Sequence, residues 1–164
     1  MKPVMLATDG SPTAEKGTAT AIELARLLET ELLVVCVWDI AYPTVGFVPM
    51  PINGEFARVG EDEAEKVAEA AAARAEELGV EARCVVLRGF PVQEICLAAE
   101  KFAPHFLVVG SHGWGAVRCA LYGSVSTGVL HHALCPVLIV PAWSLGLDAD
   151  ERADQESVPI GQNG

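Results

Sequence analysis

The sequence predicts a single α/β domain in which a parallel sheet carries helices on both faces. The main observation is that short apolar runs, of strand length, alternate with longer segments whose apolar residues recur at helical spacing. Strands that alternate with helices favour right-handed crossovers and therefore parallel strands that are covered on both sides. The second observation is the composition: 51% of the 164 residues are hydrophobic and 20% are charged, which indicates one folded domain with a sizeable core.

Four short apolar runs and one segment of loose apolar alternation, residues 80–87, predict the strands. They are residues 4–7, 32–37, 80–87, 105–109 and 136–140. Apolar runs of this length are typical of strands that are buried on both faces, as in a parallel sheet.

Four segments between these runs predict helices. The first follows Ser11, the expected N-cap, with Pro12 at its first helical position. The second is expected to open on the acidic residues 61–63, where the helix dipole favours negative charge, and to end at Gly79 as a C-cap. The third and fourth are expected from residue 91 and over residues 124 to about 132.

Two stretches are predicted to lie outside these elements. Residues 39–60 contain three prolines and are expected to form a long connection with neither strand nor helix. Residues 142–164 are acidic and lack apolar periodicity, so we expect a disordered tail after a domain that spans residues 1–141.

Charge and hydropathy argue against two classes of partner. A formal net charge of −11, with no cluster of Lys or Arg, is the opposite of the basic surface that nucleic-acid binding requires. No apolar run approaches the roughly 20 residues that span a bilayer. The sequence therefore predicts a cytoplasmic protein that binds neither nucleic acid nor membrane.

The five cysteines are an odd number and show no C-x-x-C spacing. Cys36, Cys84, Cys96 and Cys135 fall in apolar surroundings and are expected to be buried thiols. Cys119 lies in a segment between glycine turns, which makes it the candidate for an exposed, redox-active thiol.

The strongest local signal is a glycine pattern that follows the fourth predicted strand. Gly110 and Gly113 are followed, after a nine-residue gap, by Gly123 and Ser124. Glycines at the end of a strand let backbone N–H groups approach an anion, since no Cβ blocks the way. A Gly-Ser pair at the start of a helix adds N-terminal amides and a hydroxyl. Two such turns that converge on one anion indicate a ligand that carries phosphate.

This pattern, together with two others, resembles the universal stress proteins of the nucleotide-binding kind. The others are Ala7-Thr8-Asp9-Gly10-Ser11 after the first strand and Gly89-Phe90-Pro91 before the third helix, and the similarity covers roughly residues 2–141. It implies a three-layer α/β/α, Rossmann-like fold whose five-stranded parallel sheet has the order 3-2-1-4-5. In that order strands one and four are neighbours, so that Asp9 and the glycine turn face each other across one crevice.

The resemblance also implies an ATP site in that crevice. Asp9 would accept hydrogen bonds from a ribose hydroxyl, Val37 would meet adenine through its backbone, and the glycine turns would hold the phosphates. His112 has two interpretations, a phosphate contact or a side chain that only stabilises its turn. The implied nucleotide-binding residues are Ala7, Thr8, Asp9, Val37, Val109, Gly110, His112, Gly113, Arg118, Gly123, Ser124, Val125 and Ser126.

Departures from the family's pattern predict weaker binding of a triphosphate. Trp114 stands where the family usually has a basic residue, and Arg118 is the only cation among the nine residues between the glycines. His105 stands where the family tends to have Asp. Backbone dipoles, with or without Mg²⁺, would then hold the phosphates, and ADP or AMP stay open as alternatives to ATP.

The sequence therefore predicts a protein that responds to the state of the cell through nucleotide occupancy, and not an enzyme. It contains no Walker A motif and no Ser-His-Asp order. The adjacent His131 and His132 would point about 100° apart on a helix, so a helix-end pair is favoured over a metal site. Two alternatives stay open: a slow ATPase or adenylyl-transferring protein, and a nucleotide-free dimeric scaffold.

The last predicted strand, residues 136–140, indicates a homodimer. It is short, apolar and last in the sheet, so its outer edge would be unpaired. Two copies satisfy each other by antiparallel pairing about a two-fold axis, which is the dimer that the resemblance implies. Leu138 or Ile139 would face the interface or the core, and a proline at Val140 is expected to remove one ladder donor at little cost to the core.

Overall fold

A parallel sheet forms the centre of the protein. The structure is a computed structural model that describes residues 1–12, 14–39, 44–45, 48–49, 54–111 and 123–141. Its strands, in chain order, are β1 (Val4–Ala7), β2 (Leu32–Asp39), β3 (Thr44–Val45), β4 (Val48–Pro49), β5 (Ala82–Gly89), β6 (Phe106–Gly110) and β7 (Val137–Val140). The short strands β3 and β4 form an antiparallel pair of their own, and the other five form the central sheet.

The central sheet has the strand order β5-β2-β1-β6-β7, and every neighbouring pair in it is parallel. Numbered along the chain, these five strands have the order 3-2-1-4-5, so the predicted fold class and strand order are confirmed. The chain moves from β1 outward to β2 and β5, and then returns to the other side of β1 with β6 and β7. The strand order thus reverses between β1 and β6, which is where a sheet of this kind opens a crevice.

Four helices cover the two faces of the sheet: α1 (Ala14–Leu27), α2 (Gly54–Glu77), α3 (Pro91–Phe102) and α4 (Ser124–His132). Side chains of the central strand β1 divide between two cores. Val4 and Leu6 pack beneath α1 and α2, whereas Met5 and Ala7 pack beneath α3 and α4. The result is the predicted three-layer arrangement. None of the helices in the described part of the chain combines the length and the hydropathy of a membrane span.

The second helix is longer than predicted. It begins at Gly54, so the acidic residues 61–63 lie within the helix on exposed positions and not in its first turn. Gly60 packs closely on the ring of Trp38, since a Cβ at Gly60 would lie 2.9 Å from Cε3 of Trp38. The expectation that residues 39–60 contain neither strand nor helix is therefore wrong. A tertiary contact on β2 supports helical turns that the apolar periodicity does not reveal.

Two helix ends follow the predicted chemistry. The N–H of Ala14 donates to Oγ of Ser11 at 3.3 Å and to its carbonyl at 2.9 Å, so Ser11 caps α1, although the helix begins at Ala14 and not at Pro12. Gly79 lies just beyond α2 with a φ of 77°, and its N–H donates to the carbonyl of Glu76 at 2.9 Å. A left-handed residue at this position is the Schellman form of C-cap, which glycine adopts without a steric penalty.

The cysteines agree with the prediction only in part. Cys36 on β2 is buried, Cys96 and Cys135 are half-buried, and Cys84 on β5 is exposed. The expectation that Cys84 is buried is wrong, because β5 is an edge strand and has a neighbouring strand on one side only. Cys119 lies outside the described residues.

Candidate functional site

The carboxyl ends of β1 and β6 lie side by side at the point where the strand order reverses. Ala7, the last residue of β1, is in register with Val109 of β6. The chain therefore leaves the sheet at Thr8 and Asp9 next to the place where it leaves at Gly110 and Ser111. Because loops that leave neighbouring strands at a reversal point border one crevice, these two segments define the candidate site.

The turn after β1 holds an acidic side chain at the surface. The N–H of Thr8 donates to the carbonyl of Val35 at 3.1 Å, and Thr8 Oγ1 accepts from the N–H of Gly10 at 3.2 Å. Asp9 is exposed, and its Oδ1 accepts from the N–H of Ser11 at 3.0 Å. The carboxylate of Asp9 is thus oriented by its own turn while it faces solvent.

The turn after β6 is tied to the start of α4 by hydrogen bonds to one carbonyl group. The carbonyl of Ser111 accepts from the N–H of Gly123 at 2.5 Å and from Oγ of the buried Ser126 at 3.1 Å. The N–H of Ser111 in turn donates to the carbonyl of Val140 at 2.8 Å. These bonds fix the first turn of α4 against the end of β6.

The start of α4 has no side-chain cap. Gly123 is the N-cap residue, with φ of −70° and ψ of 164°, and it has no side chain to accept the N–H groups of the first turn. The first intrahelical bond runs from the N–H of Thr127 to the carbonyl of Gly123 at 3.0 Å. The N–H groups of Ser124, Val125 and Ser126 precede that bond, and the positive end of the helix dipole lies there. This helix start can accept an anion.

Val37 lies on β2 at the same edge of the sheet. Val35 is in register with Ala7, so Val37 extends past the end of β1, where it is in register with Leu87 of β5. Its side chain is half-buried against the core beneath α3 and α4. The backbone of β2 at Val37 thus forms a wall beside the turn that holds Asp9.

Cys36 lies next to Val37 on β2 and is the buried thiol nearest to the candidate site in sequence. Burial, and to a lesser degree the negative charge of Asp9, raise the pKa of the Cys36 thiol from 9.0 to about 11. This thiol is therefore neutral at physiological pH and inert as a nucleophile.

The structure brings together most of the residues that the sequence predicts for the site. At the carboxyl edge of the sheet lie Ala7, Thr8, Asp9, Val37, Val109, Gly110, Gly123, Ser124, Val125 and Ser126. The predicted residues His112, Gly113 and Arg118 lie outside the described residues, as does Trp114.

One important residue escaped the sequence analysis. Ser111 is fully buried, and its carbonyl is the acceptor that holds α4 in place. Its position directly after Gly110, at the end of an apolar run, is the signal that would have pointed to it. A small residue there lets the helix start approach the strand end.

Within the described ranges, no three or more His, Cys, Asp and Glu side chains are grouped in a way that would hold a metal ion. His131 and His132 are exposed in the last turn of α4, as predicted for a helix-end pair. The side-chain oxygens that the described part of the site offers include the carboxylate of Asp9 and the hydroxyls of Thr8 and Ser124.

These features define a doubly wound α/β protein with an uncapped helix start at its reversal point. Residues 1–141 match the universal stress protein family, and the chain belongs to this family. It is 31% identical to a universal stress protein of Methanocaldococcus jannaschii over 142 residues, which are 85% of this chain and 81% of the relative. It is 32% identical to the universal stress protein YxiE of Bacillus subtilis over 143 residues, which are 84% of this chain and 97% of the relative.

Solved structures share the fold. Universal stress protein UspA of Lactobacillus plantarum superposes with a TM-score of 0.71 at 19% identity, over 85% of this chain and 97% of that chain. A universal stress protein in complex with cAMP gives a TM-score of 0.65 at 22% identity, over 87% and 98% of the two chains. The universal stress protein of Archaeoglobus fulgidus in complex with dAMP gives 0.62 at 24% identity, over 85% and 97%.

Proposed function

We propose that this protein binds an adenine nucleotide at the carboxyl edge between β1 and β6 and acts as a regulatory switch through nucleotide occupancy. The observation that carries the proposal is the uncapped start of α4, which Gly123 and Ser126 fasten to the carbonyl of Ser111. A helix start held rigidly beside a strand end needs no rearrangement to receive phosphate. The complexes of two proteins of this fold with cAMP and dAMP support an adenine nucleotide as the ligand.

Each part of the nucleotide has a counterpart among the described residues. The N–H groups of Ser124 and Val125 would bind phosphate oxygens, and the Ser124 hydroxyl would add a donor. The exposed carboxylate of Asp9 would accept hydrogen bonds from the ribose hydroxyls. The backbone of Val37 would meet the adenine ring, so that the nucleotide spans the ends of three neighbouring strands.

ATP is the proposed ligand, with ADP or AMP as the alternatives. If Mg²⁺ accompanies the phosphates, Asp9 and Ser124 offer oxygen donors of the kind that this ion prefers, and the ion would neutralise phosphate charge. Titration calorimetry with ATP, ADP and AMP, each with and without Mg²⁺, ranks the ligands. An affinity for AMP equal to that for ATP would identify a site that reads only the nucleoside and its first phosphate.

The glycine at the start of α4 provides a sharp test of the site. Gly123→Val keeps an allowed backbone conformation, because φ and ψ of Gly123 lie in the extended region. Its branched side chain would block the approach of phosphate to the N–H groups, so we expect the loss of ATP binding with the fold retained. Thr127→Val is the matched control, since it places the same side chain at an exposed position one turn further along α4.

The result that would remove the site assignment is an unchanged ATP affinity of Gly123→Val in titration calorimetry. Circular dichroism of both variants reports whether the fold is retained. An equal loss of binding in Thr127→Val would mean that valine disturbs the helix and not the ligand.

The switch proposal requires slow turnover. No described side chain at the site is placed as a general base beside a phosphate position, so we expect ATP hydrolysis well below the roughly 1–10³ s⁻¹ of typical enzymes. Phosphate release under saturating ATP measures the rate. A rate within that range that Asp9→Ala abolishes would establish the alternative, an ATPase.

We also propose that the protein forms a homodimer through β7 and acts in the cytoplasm. The carbonyls of Pro136 and Val140 accept from the N–H groups of Leu107 and Ser111 at 2.9 and 2.8 Å. Because backbone groups alternate along a strand, residues 136, 138 and 140 face β6, and the N–H of Ile139 faces outward. These outward groups would pair with a second copy.

The expectation that a proline at Val140 removes one ladder donor at little cost to the core therefore does not hold. Val140 faces β6, and a proline there would break the sheet itself. The side chains of β7 alternate between the two cores: Leu138 packs beneath α1 and α2, and Ile139 packs beneath α3 and α4. The backbone, and not either of these side chains, is thus the proposed contact.

A further inference from the structure

A cavity of about 260 Å³ lies between α1 and α2, on the face of the sheet opposite α3 and α4. We call it the α1–α2 cleft and define it by Thr8, Ser11, Thr18, Lys66, Ala70 and Arg74. Its volume is just below the roughly 300–1,000 Å³ of pockets that hold drug-sized ligands, so it suits a smaller molecule.

The charge of the cleft is opposite to that of the whole protein. Lys66 and Arg74 line it, and Glu15 is the one acidic residue among its lining residues. Arg74 Nη1 bonds to Glu15 Oε2, which neutralises that acid. The described chain provides no carboxylate within ion-pair distance of Lys66. In a chain with a net charge of −11, the cleft therefore keeps one cation that forms no direct ion pair with a described carboxylate, although Asp62, Glu63 and Glu69 lie one turn away on α2.

Hydrogen-bond donors reinforce this cation. Thr8 is buried, and its Oγ1 accepts from the N–H of Gly10, while no described residue accepts the hydroxyl proton of Thr8. The guanidinium of Arg74 carries five N–H donors, of which Glu15 engages only part. A hydroxyl proton, an ammonium group and spare guanidinium donors are a set that recognises an anion.

The wall between these groups is apolar. Val67, Ala70 and Ala71 of α2 line the cleft, and Val67 also packs against Gly10, where a Cβ would lie 2.7 Å from Cγ2 of Val67. Small side chains at Ala70 and Ala71 leave the space that a larger residue would fill. A ligand with an apolar body as well as an anionic group would use both parts of the lining.

We propose that the α1–α2 cleft is a second ligand site, which binds a small organic anion with its charged group at Lys66 and Thr8 and its apolar body on Ala70 and Ala71. Thr8 borders both sites, but the cleft shares no other lining residue with the proposed nucleotide site and lies on the α1–α2 side of the turn that carries Asp9. Its existence does not depend on nucleotide binding.

Benzoate is a suitable probe, since it joins one carboxylate to a flat apolar ring. Titration of the ¹⁵N-labelled full chain with benzoate should give saturable shifts of the amide signals of Gly10, Thr18 and Ala71. Benzyl alcohol has a similar body without charge and should bind at least roughly tenfold more weakly. Phenyl phosphate in a parallel titration distinguishes a carboxylate from a phosphate preference.

Two pairs of variants separate the cleft from general effects. Lys66→Met keeps the side-chain stem and should weaken benzoate binding roughly tenfold or more, whereas Lys2→Met removes the same charge from the exposed N-terminus and should change it less than about twofold. Ala70→Leu fills the cleft and should abolish binding. Ala73→Leu adds the same side chain at another exposed position of α2 and should leave binding intact.

Three results would overturn the proposal. They are the absence of saturable shifts, equal effects of Lys66→Met and Lys2→Met, and displacement of benzoate by ATP, which would make the cleft part of the nucleotide site. Gly123→Val, designed against nucleotide binding, should bind benzoate like the wild type. If a protein binds benzoate but not ATP, only the nucleotide proposal is affected. If it binds ATP but not benzoate, only the proposal of a ligand site in the α1–α2 cleft is affected.

Discussion

The two edge strands of the sheet, β5 and β7, differ in length and in charge. β5 pairs with β2 along its full length, from Ala82 to Gly89, whereas β7 spans only Val137–Val140. β5 carries an arginine on each face: Arg83 lies over the ring of Phe102 and Arg88 over that of Trp38, each 5.1 Å from the ring centroid. β7 has no charged residue, and its four side chains are half-buried.

The difference illustrates two ways in which a protein prevents uncontrolled pairing at the edge strands of a sheet. Long cationic side chains on both faces of β5 obstruct the approach of another strand, which matters because a long edge is the better template for pairing. β7 lacks such protection, and its backbone donors face outward. The comparison favours β7 as the edge that a second copy covers and β5 as the edge that stays free.

The largest effect is expected from removing an outward donor of β7. Ile139→Pro deletes a backbone N–H that a two-fold interface uses twice, so we expect the dimer dissociation constant to rise roughly 100-fold. Ile139→Ala is the control, because it loses most of the same side chain but keeps the N–H group. Sedimentation velocity over a range of concentrations measures both. A monomeric wild type at micromolar concentration, or equal constants for the two variants, would contradict the β7 interface.

Alkaline pH should lower the free energy of unfolding through Cys36, which lies on β2, the strand next to the β5 edge. The native protein keeps the Cys36 thiol protonated up to about pH 11, whereas the unfolded chain releases this proton from about pH 9.0. The stability that depends on this thiol is therefore full below pH 9.0 and declines as the pH rises towards 11, by about 2 to 3 kcal/mol. Urea unfolding at several pH values measures it.

Cys36→Ala provides the reference for this titration. Other groups that titrate in the same range are common to both proteins, so the difference between the two pH profiles isolates Cys36. Between pH 9 and 11, the free energy of unfolding of Cys36→Ala should fall by about 2 to 3 kcal/mol less than that of the wild type. Parallel profiles would show that the thiol is not protonated in the native state as described.

A smaller effect is expected at the charged edge. Arg83 forms two 3.0 Å bonds to the carboxylate of Glu31 and lies over Phe102, and its side chain is 46% exposed. Because exposed ion pairs and cation–π contacts contribute little, Arg83→Met should lower the free energy of unfolding by about 1 kcal/mol. Arg26→Met, on the exposed surface of α1, is the charge-matched control. The oligomeric state of Arg83→Met should equal that of the wild type, and a change in it would place an interface at β5.

The smallest perturbation of the protein is a comparison of the alkylation rates of two thiols on adjacent strands. Cys84 on β5 is exposed and Cys36 on β2 is buried, so a short exposure to iodoacetamide should modify Cys84 first. The raised pKa of Cys36 lowers its thiolate fraction by roughly 100-fold in addition to the steric protection. Peptide mass mapping over time gives the two rates. Comparable rates would mean that β2 and β5 separate readily in solution.

Local chemistry explains which parts of the fold were predictable. Apolar runs, and a loose alternation in the case of β5, identified all five strands of the central sheet, and glycine and proline identified several helix boundaries, because these signals act within a few residues. The start of α2 at Gly54 was missed, since the first turns of the helix are supported by the contact of Gly60 with Trp38, which joins distant parts of the chain. The exposure of Cys84 was missed for a related reason, because an apolar run does not reveal whether its strand lies at an edge.

The candidate site shows the same division. The sequence by itself determined that glycines and an acidic turn follow two strands, because glycine is a requirement of the backbone at its own position. The family resemblance predicted that these turns lie at neighbouring strand ends, and the register of β1 with β6 agrees. Only the tertiary structure showed that α4 is fastened to the carbonyl of Ser111 and that a cleft opens between α1 and α2. Such features depend on which elements become neighbours, and packing across the whole chain decides that.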